Sequence, residues 1–284
     1  MSTRPITASS DRTDPLHLVD GWGAGFAAAA VVDPQGSVHR HGDVDRVVPV
    51  ASITKLCTAL AVLIGVEDGS VSLDDPLGPE GSTVRHVLCH AGGLDFDGEV
   101  VATPGTRRIY SNAGYDLLGA HLAECSGIGF DEYLAEGVLQ PLGMTSSVLD
   151  GDGGRGLRSS VADLLRLAAE LTSPTLVHPS TLAAMTTVQL PELVGVVPGW
   201  GQHTPCPWGL GPEIRGNKVP HWTGSRCSPS TFGHFGGSGA LLWIDPVAQL
   251  TCIAVTDRPF DAWAIGAWPP FSDAVQTYFS ASAS

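Results

Sequence analysis

Strand signals stand at both ends of this chain and helical signals fill the stretch between them, an order that few folds accommodate. FAAAAVVD (26–33), the turn residues Pro34-Gln35-Gly36 and SVHRHG (37–42) read as two strands around a turn. ALLWIDP (240–246) and QLTCIAVTD (249–257) read as a late hairpin. In between, Leu56, Cys57, Ala59, Leu60, Leu63 and Ile64 recur at three- and four-residue steps, which predicts a buried helix over 53–67 that Gly69 stops. Further helices are predicted over 84–89, 115–124, 130–138, 161–171 and 180–187; the fourth carries Leu164, Leu165 and Leu167 among charges, an amphipathic signature. Residues 1–20 read as a loose leader with at most a short helix, 188–229 as long ordered loops rich in Pro, Gly and Trp, and 271–279 as a final helix.

Strands from both ends that share one sheet make the helical middle an insertion. The expected fold class is α/β: an antiparallel sheet from both chain ends, flanked by helices, with an inserted all-helical lobe. The whole of 1–284 then forms one domain, with an α/β lobe of about 1–56 and 208–284 and a helical and loop lobe of about 57–207. A cleft between the lobes is the default place for a site.

Composition removes several functions. Lys plus Arg number 15 against 29 Asp plus Glu, a net charge of −14, and no basic run exists to hold a phosphate backbone, so no nucleic-acid partner is expected. The best apolar runs, 26–32 and 59–66, fall far below the ~18 residues of a spanning helix, so no membrane partner is expected. A polar beginning without an apolar signal core makes the expected location cytoplasmic. There, the six cysteines read as buried or idle thiols; Cys206 and Cys227 are the two placed to pair if the protein were exported.

Three short segments carry chemistry. In Ser52-Ile53-Thr54-Lys55 a three-residue step puts both functional side chains on one helix face, with Ser52 at the helix start, where free N–H groups favour developing negative charge. A serine hydroxyl is a poor nucleophile until a base takes its proton, and burial or a neighbouring cation lowers a lysine pKa enough to make Lys55 that base. The plain alternative is an N-cap serine beside a solvated lysine. In Tyr110-Ser111-Asn112, a phenol near an ammonium can act as acid and base and an amide can grip a substrate carbonyl; alone, this is a loop tyrosine before a helix. Gly233-His234-Phe235-Gly236-Gly237-Ser238-Gly239 is dense enough in glycine for a ligand or another backbone to lie against the next strand, and otherwise reads as a tight turn entering a hairpin.

In this order and spacing the three segments resemble the motifs of the serine β-lactamase and penicillin-binding-protein superfamily, closest to its class C β-lactamase-like branch of esterases, D-amino-acid peptidases and acyltransferases. VASITK, EDGSVSLDDPL, TVRHVLCHAGGL, IYSNAGYDLLG, PLGM, GLRSSVADLLRL, WGLG and HFGGSGALLWIDP extend the likeness over almost the whole chain. The resemblance implies a β-lactamase/transpeptidase-like sandwich. It implies Ser52 as nucleophile, Lys55 and Tyr110 as the proton-transfer pair, the N–H groups of Ser52 and Gly237 as an oxyanion hole, and Asn112, His234 and Gly236 as substrate-binding residues, with no cofactor and no metal.

Two departures from the family pattern bear on the substrate. His234 stands where β-lactamases and carboxypeptidases usually carry a lysine that meets a substrate carboxylate, which points toward esterase-like members and away from penicillins or D-Ala-D-Ala ends. The chain is also short for the family, which implies a reshaped cleft. The expected substrate is a small-molecule ester or amide, cleaved through an acyl-enzyme. The alternatives are transfer of the acyl group to an amine or alcohol acceptor, and a catalytically silent binding domain.

Other motifs read as structure. Gly151, Gly153 and Gly156 match GxGxxG without a companion phosphate signature and read as a surface loop. His86 and His90 lack the Glu at 87 that a zinc protease needs; that residue is Val87. Trp200, Trp208 and Trp222 are either core aromatics or the wall of a large acyl or acceptor pocket.

Overall fold

A computed structural model describes residues 13–280. The chain opens with a short 3-10 helix, Pro15–Trp22, capped by the Asp14 carboxylate, which accepts from Leu16 N at 2.9 Å. Of the leader expected over residues 1–20, residues 1–12 lie outside the described residues, and the rest leads into this short helix. Strands β1 (Ala27–Val32) and β2 (Val38–His41) form the predicted N-terminal pair, followed by the two-residue β3 (Val48–Pro49). Helix α1 runs from Thr54 to Asp68 and stops at Gly69 in the left-handed conformation.

The middle of the chain holds α2 (Val84–Leu88), α3 (Ala113–Ser126) and α4 (Phe130–Leu134), the last continued by a π-turn over Ala135–Leu139. Short strands β4 (Val148–Leu149) and β5 (Leu157–Ser159) precede α5 (Val161–Glu170) and α6 (Pro179–Met185). The stretch expected as loop contains three short strands, β6 (Gly195–Val197), β7 (Gly201–His203) and β8 (Glu213–Ile214). It is followed by β9 (Phe232–Gly236), β10 (Ala240–Asp245), β11 (Leu250–Thr256) and α7 (Ala262–Ser280).

Six strands form one antiparallel sheet in the order β2-β1-β11-β10-β9-β8. Pairing of β1 with β11, from Ala27 opposite Thr256 to Val32 opposite Thr251, is where the two chain ends meet. Both faces are apolar, and strand alternation divides them. Ala28, Ala30, Leu242, Ile244, Ile253 and Val255 join the core shared with α1 and α5. Ala29, Val31, Leu241, Trp243, Cys252 and Ala254 face the opposite core, under the N-terminal 3-10 helix and α7. Helix α5 lies on this sheet although it comes from the middle of the chain. No helix among the described residues is long and apolar enough to cross a membrane.

One helix departs from expectation. Helix α7 begins at Ala262, not near 271, and passes through Pro269 and Pro270. Trp268, Phe271, Val275 and Phe279 follow at three- and four-residue steps and bury one stripe against the sheet, which outweighs the backbone hydrogen bonds lost at the prolines. The glycine-rich segment divides between its two readings: Gly233–Gly236 belong to strand β9, and Gly237-Ser238-Gly239 form the tight turn into β10. The strand's glycines permit close backbone contact: a Cβ added at Gly233 would lie 2.0 Å from Leu242 O, and one added at Gly236 would lie 2.1 Å from Val50 O.

That second contact sets β9 directly against the backbone leading to Ser52. Gly236→Ala is therefore expected to force these segments apart, costing about 1–3 kcal/mol of stability by overpacking. Thermal denaturation temperature and ester turnover should both fall. A melting temperature and a rate equal to those of the parent protein would contradict this role.

Candidate active site

Ser52 sits on a single 3-10 turn, Ala51–Ile53, that leads from β3 into α1. The residue before it, Ala51, has φ 45°, a left-handed conformation that costs a non-glycine residue ~1–3 kcal/mol and persists where surrounding structure holds it. The hold is visible on both sides. Val50 N donates to Leu157 O at 3.0 Å, and Leu157 N donates to Thr54 Oγ1 at 2.9 Å, so β5 clamps the turn.

One helical turn on, Lys55 is fully buried. Its Nζ lies 3.3 Å from Ser52 Oγ and donates to Asn112 Oδ1 and to Gly154 O, each at 2.6 Å. Tyr110, just ahead of α3, donates its hydroxyl to Ser52 Oγ at 2.7 Å. The segment around Tyr110 is itself pinned: Ile109 N donates to His90 O, Ser111 N to His90 Nδ1, and Asn112 N to Phe96 O. Four predicted site residues, Ser52, Lys55, Tyr110 and Asn112, thus meet in one hydrogen-bonded group.

Protonation follows from burial. Removal from water lowers the Lys55 pKa to about 7, with Asp116 pulling it upward and Arg155 pushing it down. A neutral amine has two N–H bonds and one lone pair. Asn112 and Gly154 take the two N–H bonds, which leaves the lone pair for the Ser52 hydroxyl. Burial first, offset by the bond to Ser52, raises the Tyr110 pKa above the usual phenol range, so Tyr110 stays protonated and donates. With Lys55 in its neutral form, Ser52 accepts from the Tyr110 hydroxyl and can donate to the Lys55 lone pair.

The cleft above Ser52 has a volume of about 270 Å³. Tyr110, Asn112 and Gly237 line it, together with Phe96, Phe235 and Phe260. His234 and Gly236, expected on its wall, stand behind it. Gly236 packs on Val50. His234 is buried among the Tyr110, Trp208 and Phe235 rings and donates from Nδ1 to Phe235 O at 2.7 Å. Burial, reinforced by the nearby Lys55, lowers its pKa to about 3, so this imidazole carries no charge for a substrate carboxylate. Behind it, on the sheet edge, Glu213 binds Lys218 at 2.8 Å and His221 at 2.9 Å. Burial alone would raise the Glu213 carboxyl, but Lys218 and His221 hold it well below the usual range. This network of buried charges backs β9 through the pairing of Glu213 with Gly233.

Several contributors escaped the sequence. The GxGxxG loop is part of the site: Gly153 O accepts from Thr58 and Gly154 O from Lys55. Its glycines serve approach to α1 and α3, for a Cβ at Gly154 would lie 3.0 Å from Asn112 O. His90, with φ 57°, stacks 4.5 Å from the Tyr110 ring and fixes that segment; His86 turns away to Thr83. Trp200, Trp208 and Trp222 are all buried in the core facing α7 and none lines the cleft. All six cysteines, Cys206 and Cys227 included, are free thiols.

Known proteins share this architecture. A family model described as "Beta-lactamase" matches residues 17–268. A β-lactamase structure from Mycobacterium bovis is 47% identical with a TM-score of 0.91, covering 94% of this chain and 100% of that one. The D-alanyl-D-alanine-carboxypeptidase/endopeptidase AmpH of Escherichia coli K12 is 27% identical over 197 residues, which is 50% of this chain and 51% of AmpH, so the chain spans about half the length of that relative. EstCE1, described as a hydrolase with promiscuous acyltransferase activity, shares the fold at 18% identity and a TM-score of 0.74, covering 92% of this chain and 98% of that one.

Proposed function

Because the chain belongs to the β-lactamase family, we propose that it is a serine acyl-transfer enzyme that forms an acyl-enzyme on Ser52 and hydrolyses a small-molecule ester or amide. The observation that carries this reading is the placement of Ser52 Oγ between the Lys55 amine at 3.3 Å and the Tyr110 hydroxyl at 2.7 Å.

Neutral Lys55 takes the Ser52 proton as Oγ attacks the carbonyl carbon. The N–H groups of Ser52 and Gly237, both on the cleft wall, stabilise the oxyanion. Tyr110 gives its proton to the leaving oxygen or nitrogen; in the second half-reaction its phenolate takes a proton from the attacking water, and protonated Lys55 returns its proton to Ser52 Oγ as the acyl bond breaks. Asn112 holds the Lys55 amine in line and orients the substrate carbonyl. Water then releases the acyl group.

Transfer to an amine or alcohol shares the first half-reaction. It is favoured by a second groove of about 440 Å³ that adjoins the cleft through Phe96, Tyr110 and Pro198, room for an acceptor beside the proton donor. An activated ester incubated with candidate amines separates the two: free acid as the sole product supports hydrolysis, and amide product supports transfer.

The same assay tests the base. Protonated Lys55 cannot accept a proton, so kcat/KM is expected to be half-maximal near pH 7 and to fall about tenfold per unit below it. Asp116 stabilises the charged amine, so Asp116→Asn should move this limb to lower pH. A profile flat from pH 5 to 9 would remove Lys55 from the role.

A further inference from the structure

We propose that Arg155 selects the acyl group: the substrate of Ser52 is an ester or amide whose acyl chain ends in a carboxylate that pairs with this guanidinium. The inference rests on the acyl-transfer reading of Ser52.

Among the described residues lining the cleft, Arg155 is the one charged side chain; its neighbours on the wall are aromatic or small. It is not committed elsewhere. Its ion pair is to Asp152 at 3.5 Å, and both side chains are 55% exposed, a contact worth little and open to exchange for an entering anion. Its backbone, by contrast, is fixed. Gly154, the preceding residue, accepts from Lys55 and donates to Asp116 Oδ1 at 3.0 Å, so the arginine is one residue from a direct contact with the catalytic amine. His234 is neutral and walled off, which leaves no competing cation inside the cleft. With a net charge of −14 the chain as a whole repels anions, so any preference for one is local.

Geometry also assigns the carboxylate to the acyl side. Tyr110 must reach the leaving atom, and the groove of about 440 Å³ extends past Tyr110, lined further by Val101, Ile109 and Val196 and by Arg107 and the buried Arg108, whose guanidinium is spent on the Cys89, Gln189 and Cys206 carbonyls. That groove contains neither Ser52 nor Arg155. The leaving portion therefore lies over Tyr110, and the acyl chain occupies the cleft that Arg155 lines. The step balances without any redox partner: the bond from Ser52 Oγ to the acyl carbon forms, the bond to the leaving oxygen breaks, and that oxygen departs with the Tyr110 proton. Water returns the dicarboxylic acid and free Ser52.

The test compares kcat/KM for mono-4-nitrophenyl adipate with that for 4-nitrophenyl hexanoate, acyl chains of equal length that differ in the terminal charge. The parent enzyme is expected to favour the adipate at least tenfold, Arg155→Gln to lose at least tenfold of that ratio, and Arg155→Lys to keep part of it. An ester with its carboxylate on the leaving group should show no such dependence on Arg155. A parent preference for the hexanoate, or a ratio unchanged in Arg155→Gln, overturns the inference. Labelling of Ser52 by a neutral fluorophosphonate reports the underlying reading separately: an adduct without the anionic preference sinks the inference alone, and no adduct sinks both.

Discussion

Ser52→Ala is expected to lower ester turnover by about 10⁴-fold or more, because every later step passes through the bond its oxygen forms. The alanine fits without strain. Ser52 is half-buried on a turn held by Val50, Thr54 and Leu157, none of whose contacts uses the serine hydroxyl. Its loss frees Tyr110 and Lys55 from one partner each but leaves Lys55 bonded to Asn112 and Gly154. The melting temperature should accordingly stay within about 2 °C of the parent, as for a substitution that opens no cavity and strands no charge. Unfolding therefore cannot explain the loss of rate. Turnover within tenfold of the parent, measured on an activated ester, would remove Ser52 from the chemistry.

Lys55→Met is expected to cost about 10³-fold in kcat/KM, the usual worth of a positioned base. Methionine fills the same space without a lone pair for the Ser52 proton. It also leaves Asn112 Oδ1 and Gly154 O without their donor, a desolvation cost of ~1–3 kcal/mol for each acceptor left unpaired. Stability and activity fall together in this variant, so its pH profile is the decisive readout. Residual activity should lose the limb near pH 7 that Lys55 imposes. A surviving limb at that pH would assign it to another group.

Much of this architecture was legible in the residues because local pattern and global packing agree. Helix α1 is buried on most of its faces, and its apolar run and terminal Gly69 announce it. Strands β1, β10 and β11 are apolar runs bounded by turn residues, and they form the centre of the sheet. Ser52, Lys55, Tyr110 and Asn112 were legible as a motif, although their spacing says nothing of the hydrogen bonds that join them.

The parts misread or left open share a cause: residues whose ordinary local preference is reversed or settled by a tertiary contact. The glycines of 233–239 fit either a turn or a close backbone approach, and tertiary contact decides which: at 233 and 236 β9 presses against Trp243 and Val50, and the turn falls on Gly237-Ser238-Gly239. Pro269-Pro270 favours a helix stop, yet the apolar stripe of α7 carries the helix through. The loop around Gly154 has no chemistry-bearing side chain at the position that matters, because its contribution to Lys55 is a backbone carbonyl. No side-chain pattern reports a carbonyl. His234 suggested a substrate contact by analogy with a charged residue, but a neutral imidazole can be buried where an ammonium resists it, and the strand closes over it.

The most direct test of Ser52 as the acyl-carrying nucleophile is intact-protein mass spectrometry after exposure to a fluorophosphonate, followed by peptide mapping. A single stoichiometric adduct on Ser52 is expected, absent in Ser52→Ala and formed far more slowly in Lys55→Met. An unmodified parent protein, or an adduct that persists when Ser52 is replaced, would contradict it.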